Sequence, residues 1–366
     1  MELGIIGFWH SGKTTLFNSL CVGRSETIKH PDDGWQSHLA TIRIPDNRVD
    51  ALSETFKPTK TTYATIRVID VEGPPASQTE GQKSHHASLL EYQLHQLANV
   101  EGYLAVIRDF WSTDLPPVDV KEQISNCMLE LILSDLSRIE HRLPGLEKNL
   151  TKVSGAEREH LLVEKEILVK AKEILEKKNP IITMTLSPEE EKTIRGFQFS
   201  SQRPIVFIIN TDKEITECDD MCQSLREDFP GEYYSFLPLN AEIEKEIQEL
   251  PVEEQQAFID DYHILSFARD RVTHEVLSLM KKICFFTINP NELHVWLITQ
   301  GTTALEAAGL VHSDFARGFI RAEVMDWKSC IEHGGFSHAK REGKVRSEGK
   351  SYIVQDGEII NFLFHV

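Results

Sequence analysis

The sequence holds no run of 18 uncharged apolar residues, so no membrane-spanning helix is expected. Cysteine is sparse: six in 366 residues, at Cys21, Cys127, Cys218, Cys222, Cys284 and Cys330. Only Cys218 and Cys222 lie close together, and no second Cys or His pair has metal-site spacing. Neither a zinc site nor a disulfide framework is supported, and free thiols in a reducing cytosol are expected. Basic residues are short as well, 39 against 57 acidic, for a formal net charge of −18. That balance excludes a protein that coats nucleic acid over its whole surface and leaves only local basic patches. Repeats and low-complexity segments are absent. Met1-Glu2-Leu3-Gly4 has no basic n-region and no cleavage site follows, so a secretory leader is not expected. What remains is an ordinary globular composition, 40% apolar and 26% charged. It is sufficient for a core in two or three domains of roughly 100–200 residues each.

Apolar segments alternate with helix-forming stretches. Leu3 to Gly7 reads as a strand and Thr14 to Leu20 as a helix, with further strands at Ala64 to Asp70, Gly102 to Ile107 and Pro204 to Asn210. The alternation predicts an α/β domain with a parallel sheet covered on both faces. Between Asp119 and Pro180, Leu136, Ile139, Leu143, Leu146 and Leu150 step by three and four. Leu161, Leu168 and Leu175 sit seven apart, and Ser154-Gly155 separates the two runs. This predicts an antiparallel coiled-coil hairpin, kinked or restarted at Pro144. From Ile283 the pattern turns to short strands: Ile283 to Ile288, Glu292 to Thr299, Ile320 to Val324, and Ser351 to Phe364 with a turn at Asp356-Gly357. With a helix at Ala304 to Gly309 they predict a β-grasp domain.

The strongest chemical signal is Gly7-Phe8-Trp9-His10-Ser11-Gly12-Lys13-Thr14, a GxxxxGK[ST] match between a strand and a helix. Such a loop turns backbone N–H groups onto phosphate oxygens, and the helix behind it presents its positive end. Lys13 reaches the β- and γ-phosphates, and Thr14 offers its hydroxyl to Mg²⁺. Asp70-Val71-Glu72-Gly73 ends the next core strand, where Asp70 would hold Mg²⁺ through water and the Gly73 N–H would sense the γ-phosphate. Asn210-Thr211-Asp212-Lys213 stands where a GTPase carries NKxD, with Lys213 at the guanine-reading acidic position. Leu237 to Ala241 ends a fifth strand whose Asn240 and Ala241 amides can complete a purine pocket. The expected nucleotide site is therefore His10, Ser11, Gly12, Lys13, Thr14, Thr15, Asn210, Asp212, Lys213, Asn240 and Ala241. Lys13, Asp70 and Gly73 are the catalytic candidates, and Thr14 and Asp70 the Mg²⁺ ligands. His85-His86 reads either as a water-positioning pair or as solvated loop.

Long stretches of the C-terminal part resemble one family. Ala307-Ala308-Gly309, His312-Ser313-Asp314-Phe315, Gly318 to Val324, Glu348-Gly349-Lys350 and Tyr352 to Gly357 look like the TGS domain of the YchF or Obg-like ATPases. Pro45 to Leu52 and Lys57-Pro58 match that family too. The resemblance implies a P-loop NTPase G domain (1–118 and 200–282), an inserted helical hairpin (119–199) and a C-terminal ubiquitin-like TGS domain (283–366). It also implies ATP hydrolysis with Mg²⁺, ribosome or rRNA binding through the TGS domain and hairpin, and a cytoplasmic monomer. The chain departs from the family pattern in four places. His10 and Ser11 replace Asn-Val, and Gly34 falls where the Mg²⁺-binding Thr is expected. The loop from Pro74 to His86 is longer and poorer in Gly, and Lys213 replaces Glu. Pro74 also stands where other GTPases keep their catalytic glutamine. Three readings stay open: an ATPase switch, a GTPase, and a nucleotide-binding scaffold with little turnover. A local basic excess at Lys340, Arg341, Lys344, Arg346 and Lys350 is the expected RNA contact.

Overall fold

The computed structural model describes residues 1–21, 25–29, 36–72, 85–262, 264 and 266–365. Gly34, Gly73 and the loop from Pro74 lie outside them, as do the side chains of His85 and His86. The described chain divides into two compact units, one of residues 1–42 and 67–272, the other of residues 43–66 and 273–366.

The first unit is built on a seven-stranded sheet. Its strands are β1 (Glu2–Ile6), β2 (Ser25–Lys29), β3 (Gln36–Arg43), β5 (Thr65–Val71), β6 (Gly102–Asp109), β7 (Ile205–Thr211) and β8 (Tyr234–Leu239). The order is β2-β3-β5-β1-β6-β7-β8. β5, β1, β6, β7 and β8 pair in parallel, as their apolar runs require. β2 and β3 form an antiparallel hairpin at the edge, so the sheet is mixed rather than wholly parallel. Every residue of β7 is buried, as in a strand covered on both faces. The helices of this unit include α1 (Lys13–Leu20), α3 (His85–Gln96), α4 (Val120–Leu150), α5 (Ala156–Glu176), α6 (Pro188–Ile194), α7 (Asp219–Asp228), α8 (Ala241–Glu249) and α9 (Val252–Asp261).

The hairpin of α4 and α5 buries Ile132, Ile139, Leu146, Leu168 and Leu175 between its arms. Gly155 turns the chain at φ 66°. α4 runs through Pro144 as one helix, against the expected restart. Packing along both arms outweighs the single ladder bond that the ring removes. Arg142 holds the nearly buried Glu164 through two nitrogens, at 2.7 and 3.1 Å.

The second unit corrects the expected domain boundaries. Residues 43–66 belong with it rather than with the first part of the G domain. They contribute α2 (Asn47–Phe56) and β4 (Lys60–Thr62), and β4 pairs in parallel with β10 (Glu292–Thr299). The sheet has six strands in the order β12-β11-β13-β9-β10-β4. The others are β9 (Lys282–Ile288), β11 (Phe319–Asp326), β12 (Arg346–Glu348) and β13 (Glu358–Phe364). The expected strand from Ser351 begins only at Glu358, because Ile353 instead bridges Thr303 and Val354 donates to the Thr302 carbonyl. The helices are α10 (Ala268–Leu279), which crosses the unit boundary, α11 (Ala304–Val311), α12 (Ser313–Arg317), α13 (Trp327–Glu332) and α14 (Phe336–Arg341). Arg48 ties the early segment in: its Nε and Nη2 bind the Asp46 carboxylate, and Nη1 binds Asp356 at 2.7 Å.

Candidate nucleotide site

The phosphate loop leaves the C-terminal edge of β1. Gly7 takes φ 152° and Gly12 φ 92°. A Cβ on Gly7 would stand 2.6 Å from the Val106 carbonyl oxygen, and one on Gly12 2.2 Å from Asn210 Nδ2. Both glycines are required by close approach as well as by backbone angle. The Gly7 N–H donates to Gln93 Oε1 on α3 at 3.1 Å. Gln93 is fully buried and its Nε2 has no partner among the described residues. Sequence reasoning missed it, because a glutamine 86 residues downstream in an amphipathic helix carries no local signal.

Lys13 does not point freely to solvent as a surface lysine would. It is half-buried and donates from Nζ to the Phe8 carbonyl at 2.7 Å. Burial pulls its pKa down to about 8, against the opposing charge of Asp70. Thr14 Oγ1 donates to Asp70 Oδ2 at 3.0 Å, so the hydroxyl and carboxylate expected at the metal meet. Asp70 is 2% exposed. Burial pushes its carboxyl up, while the Thr14 bond and Lys13 pull the other way. A hydroxyl and one carboxylate fit Mg²⁺, which takes few protein oxygens and fills its octahedron with phosphate and water. Among the described residues no group of three or more His, Cys, Asp or Glu forms a metal cage. His10 is exposed at φ 60°, Ser11 is buried with its Oγ unpartnered among the described residues, and Thr15 is half-buried on α1.

The expected base-side residues divide. Asn210 donates from Nδ2 to the Ser11 carbonyl at 3.0 Å and accepts the Ala241 N–H at 3.1 Å. It therefore clamps the phosphate loop, β7 and the start of α8 together. Asn240 caps α8 by accepting the Ile243 N–H at 3.0 Å. Asp212 accepts the N–H of the exposed Trp111 at 3.0 Å. Lys213 binds both oxygens of Asp109, at 3.1 and 3.0 Å, and Asp109 also accepts from Thr211 Oγ1. Asp109 was not foreseen, although a carboxylate ending so apolar a strand is a signal. Beside the loop opens a cavity of about 620 Å³, lined by Trp9, His10, Arg108, Glu122, Gln123 and Asn126 among others. The Gln123 amide bonds both the N–H and the carbonyl of Arg108.

Comparison with known proteins accords with this geometry. The family model YchF-GTPase_C, described as a protein of unknown function, matches residues 282–365. The Ribosome-binding ATPase YchF of Bacillus subtilis is 31% identical, with all of both chains covered. That of Haemophilus influenzae is 32% identical over 100% of this chain and 99% of its own. In fold, the chain is similar to the Schizosaccharomyces pombe YchF GTPase, with a TM-score of 0.78 at 23% identity over 99% of this chain and 97% of that one. A GTP binding protein from Pyrococcus horikoshii superposes over both full chains with a TM-score of 0.58 at 16% identity. Full-length identity at this level, on a P-loop sheet with the family's C-terminal segment, makes the chain a member of the YchF family.

Proposed function

We propose that this protein is a Mg²⁺-dependent P-loop NTP hydrolase that prefers ATP and works as a slow, monomeric switch on the cytoplasmic ribosome. The observation that carries the chemistry is the meeting of Lys13, Thr14 and Asp70 at one phosphate loop. The ribosome enters from the names of the full-length relatives. Mg²⁺, when bound, supplies charge neutralisation to the phosphates, and Thr14 and Asp70 are the residues that would hold it. Lys13 would exchange the Phe8 carbonyl for β- and γ-phosphate oxygens. The loop amides and the start of α1 add fixed positive dipoles. Gly73 is assigned to the γ-phosphate on its sequence position alone. Pro74 follows it, so no side chain there orients water, which accords with slow turnover.

Adenine is favoured because position 213 carries a lysine where guanine readers keep an acidic acceptor. An unpaired guanine donor costs about 1–3 kcal/mol. Single-turnover hydrolysis of ATP and GTP, with and without ribosomes, tests the reading. Faster ATP turnover that responds to ribosomes is expected. A GTP preference above about tenfold, or 1.4 kcal/mol, rejects the ATP assignment, and absence of turnover with either leaves only the binding scaffold.

A further inference from the structure

The Asp109–Lys213 ion pair lies at the position where the sequence places the base-reading element. β6 and β7 lie side by side with Asp109 registered against Thr211. The two bonds of Asn210 fix the end of β7 and the start of α8 against the phosphate loop. On the nucleotide-site reading, a nucleotide whose phosphates rest on residues 7–14 would carry its base toward the ends of β7 and β8 that Asn210 ties to the loop, next to the end of β6. At that edge the Lys213 side chain is 51% exposed and Asp109 only 14%, so the ammonium covers the carboxylate. The arrangement is braced: the Lys213 N–H donates to Thr211 Oγ1 at 3.2 Å, and Thr211 Oγ1 donates to Asp109 Oδ2 at 3.0 Å.

We propose that Lys213 and Asp109 form a base-selectivity latch, in which the ammonium sequesters a carboxylate that would otherwise accept hydrogen bonds from guanine's N1 and N2 donors. The inference rests on the nucleotide-site reading above and deepens it. The acidic group that guanine requires is present in this protein, contributed by β6 and neutralised from β7. Adenine has no donor at N1 and no amino group at C2, so neutralisation costs it little. Guanine meets a spent acceptor. Lys213 is thus a positioning residue whose effect runs through Asp109.

Calorimetric titration of the full chain with ADP and with GDP, in Mg²⁺, is the test. Lys213→Met removes the charge at nearly constant length, and Lys213→Gln is a second uncharged form should the first misfold. Each should raise the GDP-to-ADP affinity ratio at least about tenfold, the scale of one hydrogen bond to a charged acceptor. The double variant Asp109→Asn with Lys213→Met should show the wild-type ratio, since no carboxylate remains to be uncovered. Lys213→Arg, which keeps the ion pair, should show that ratio as well. A Lys213→Met protein that binds ADP with an unmoved ratio overturns the latch, as does an equal rise in the double variant. Failure of the wild-type protein to bind either nucleotide overturns the nucleotide-site reading itself, and the two failures are told apart by the ADP titration.

Discussion

Lys13, the proposed phosphate ligand, is held by its own loop. With its ammonium against the Phe8 carbonyl and its pKa drawn down to about 8, it loses charge where a surface lysine keeps it. Bound phosphate favours the ammonium, so nucleotide affinity should hold below pH 8 and fall above it, with proton uptake on binding near pH 8.5. Titrations in buffers of different ionisation enthalpy measure that uptake, and an affinity flat to pH 9.5 would refute the burial argument. Stability of the empty protein runs the opposite way. Between about pH 8 and 10.5 the unfolded chain binds more protons at this residue, so its penalty to the fold eases as pH rises through that window. Lys13→Ala should abolish binding of ATP and GTP with the melting temperature retained, and unchanged affinity would sink the phosphate-loop assignment. Gly7, Gly12, Lys13, Thr14 and Asp70 were legible in sequence because their chemistry is local and fixed in spacing. Gln93 and Asp109 were not. Each acts on a partner 86 or 104 residues away, and only strand order brings them together.

The elements most legible in sequence are those with the longest period. The hairpin stripe from Leu136 to Leu175 needed no tertiary knowledge, since each arm buries its face against the other. The core strands β1, β6 and β7 were equally plain as apolar runs, and β5 as a β-branched one. β4 was invisible: Lys60-Thr61-Thr62 has no apolar residue and exists as a strand because β10 offers it an edge. Pro144 marks the limit of local rules: of the expected kink or restart, the restart does not occur, and the helix continues through the proline. Pro144→Ala should therefore stabilise the hairpin, by about 1–3 kcal/mol, through the recovered ladder bond and the relieved ring clash. Denaturant unfolding followed by circular dichroism would register the gain. A loss would mean that the proline is itself part of the packing.

On the scale of the whole molecule, a net charge of −18 makes any cation open to solvent conspicuous. The structure commits two of the five residues of the basic cluster expected to meet RNA. Lys340 is committed to the buried Glu323 and Arg346 to the buried Glu358, with Tyr352 on the same carboxylate. Arg341, Lys344 and Lys350 form no ion pair within the described residues. Arg341→Ala with Lys344→Ala should therefore weaken ribosome pelleting and flatten its log–log salt dependence by roughly 0.7–0.9 per lost phosphate contact. Lys340→Ala should instead lower the melting temperature, because it removes the nearest cation from the buried Glu323 carboxylate and leaves it Asn361 and the more distant Arg321. Pelleting and slope identical to wild type in the first variant would move the contact to the hairpin.

The second unit is sewn from two stretches of chain with about two hundred residues between them. At roughly 5–20 residues per second, α2 and β4 emerge some 12–47 s before the strand that receives β4 has been made. During that interval Val49 and Leu52, buried in the finished protein, have no native partners in the C-terminal segment. A chain that stops before β10 has no strand to receive β4. The same seam bears on dissection. A fragment beginning at residue 283 would carry β10 with a raw edge, and an interaction measured on it would include the stickiness of that edge.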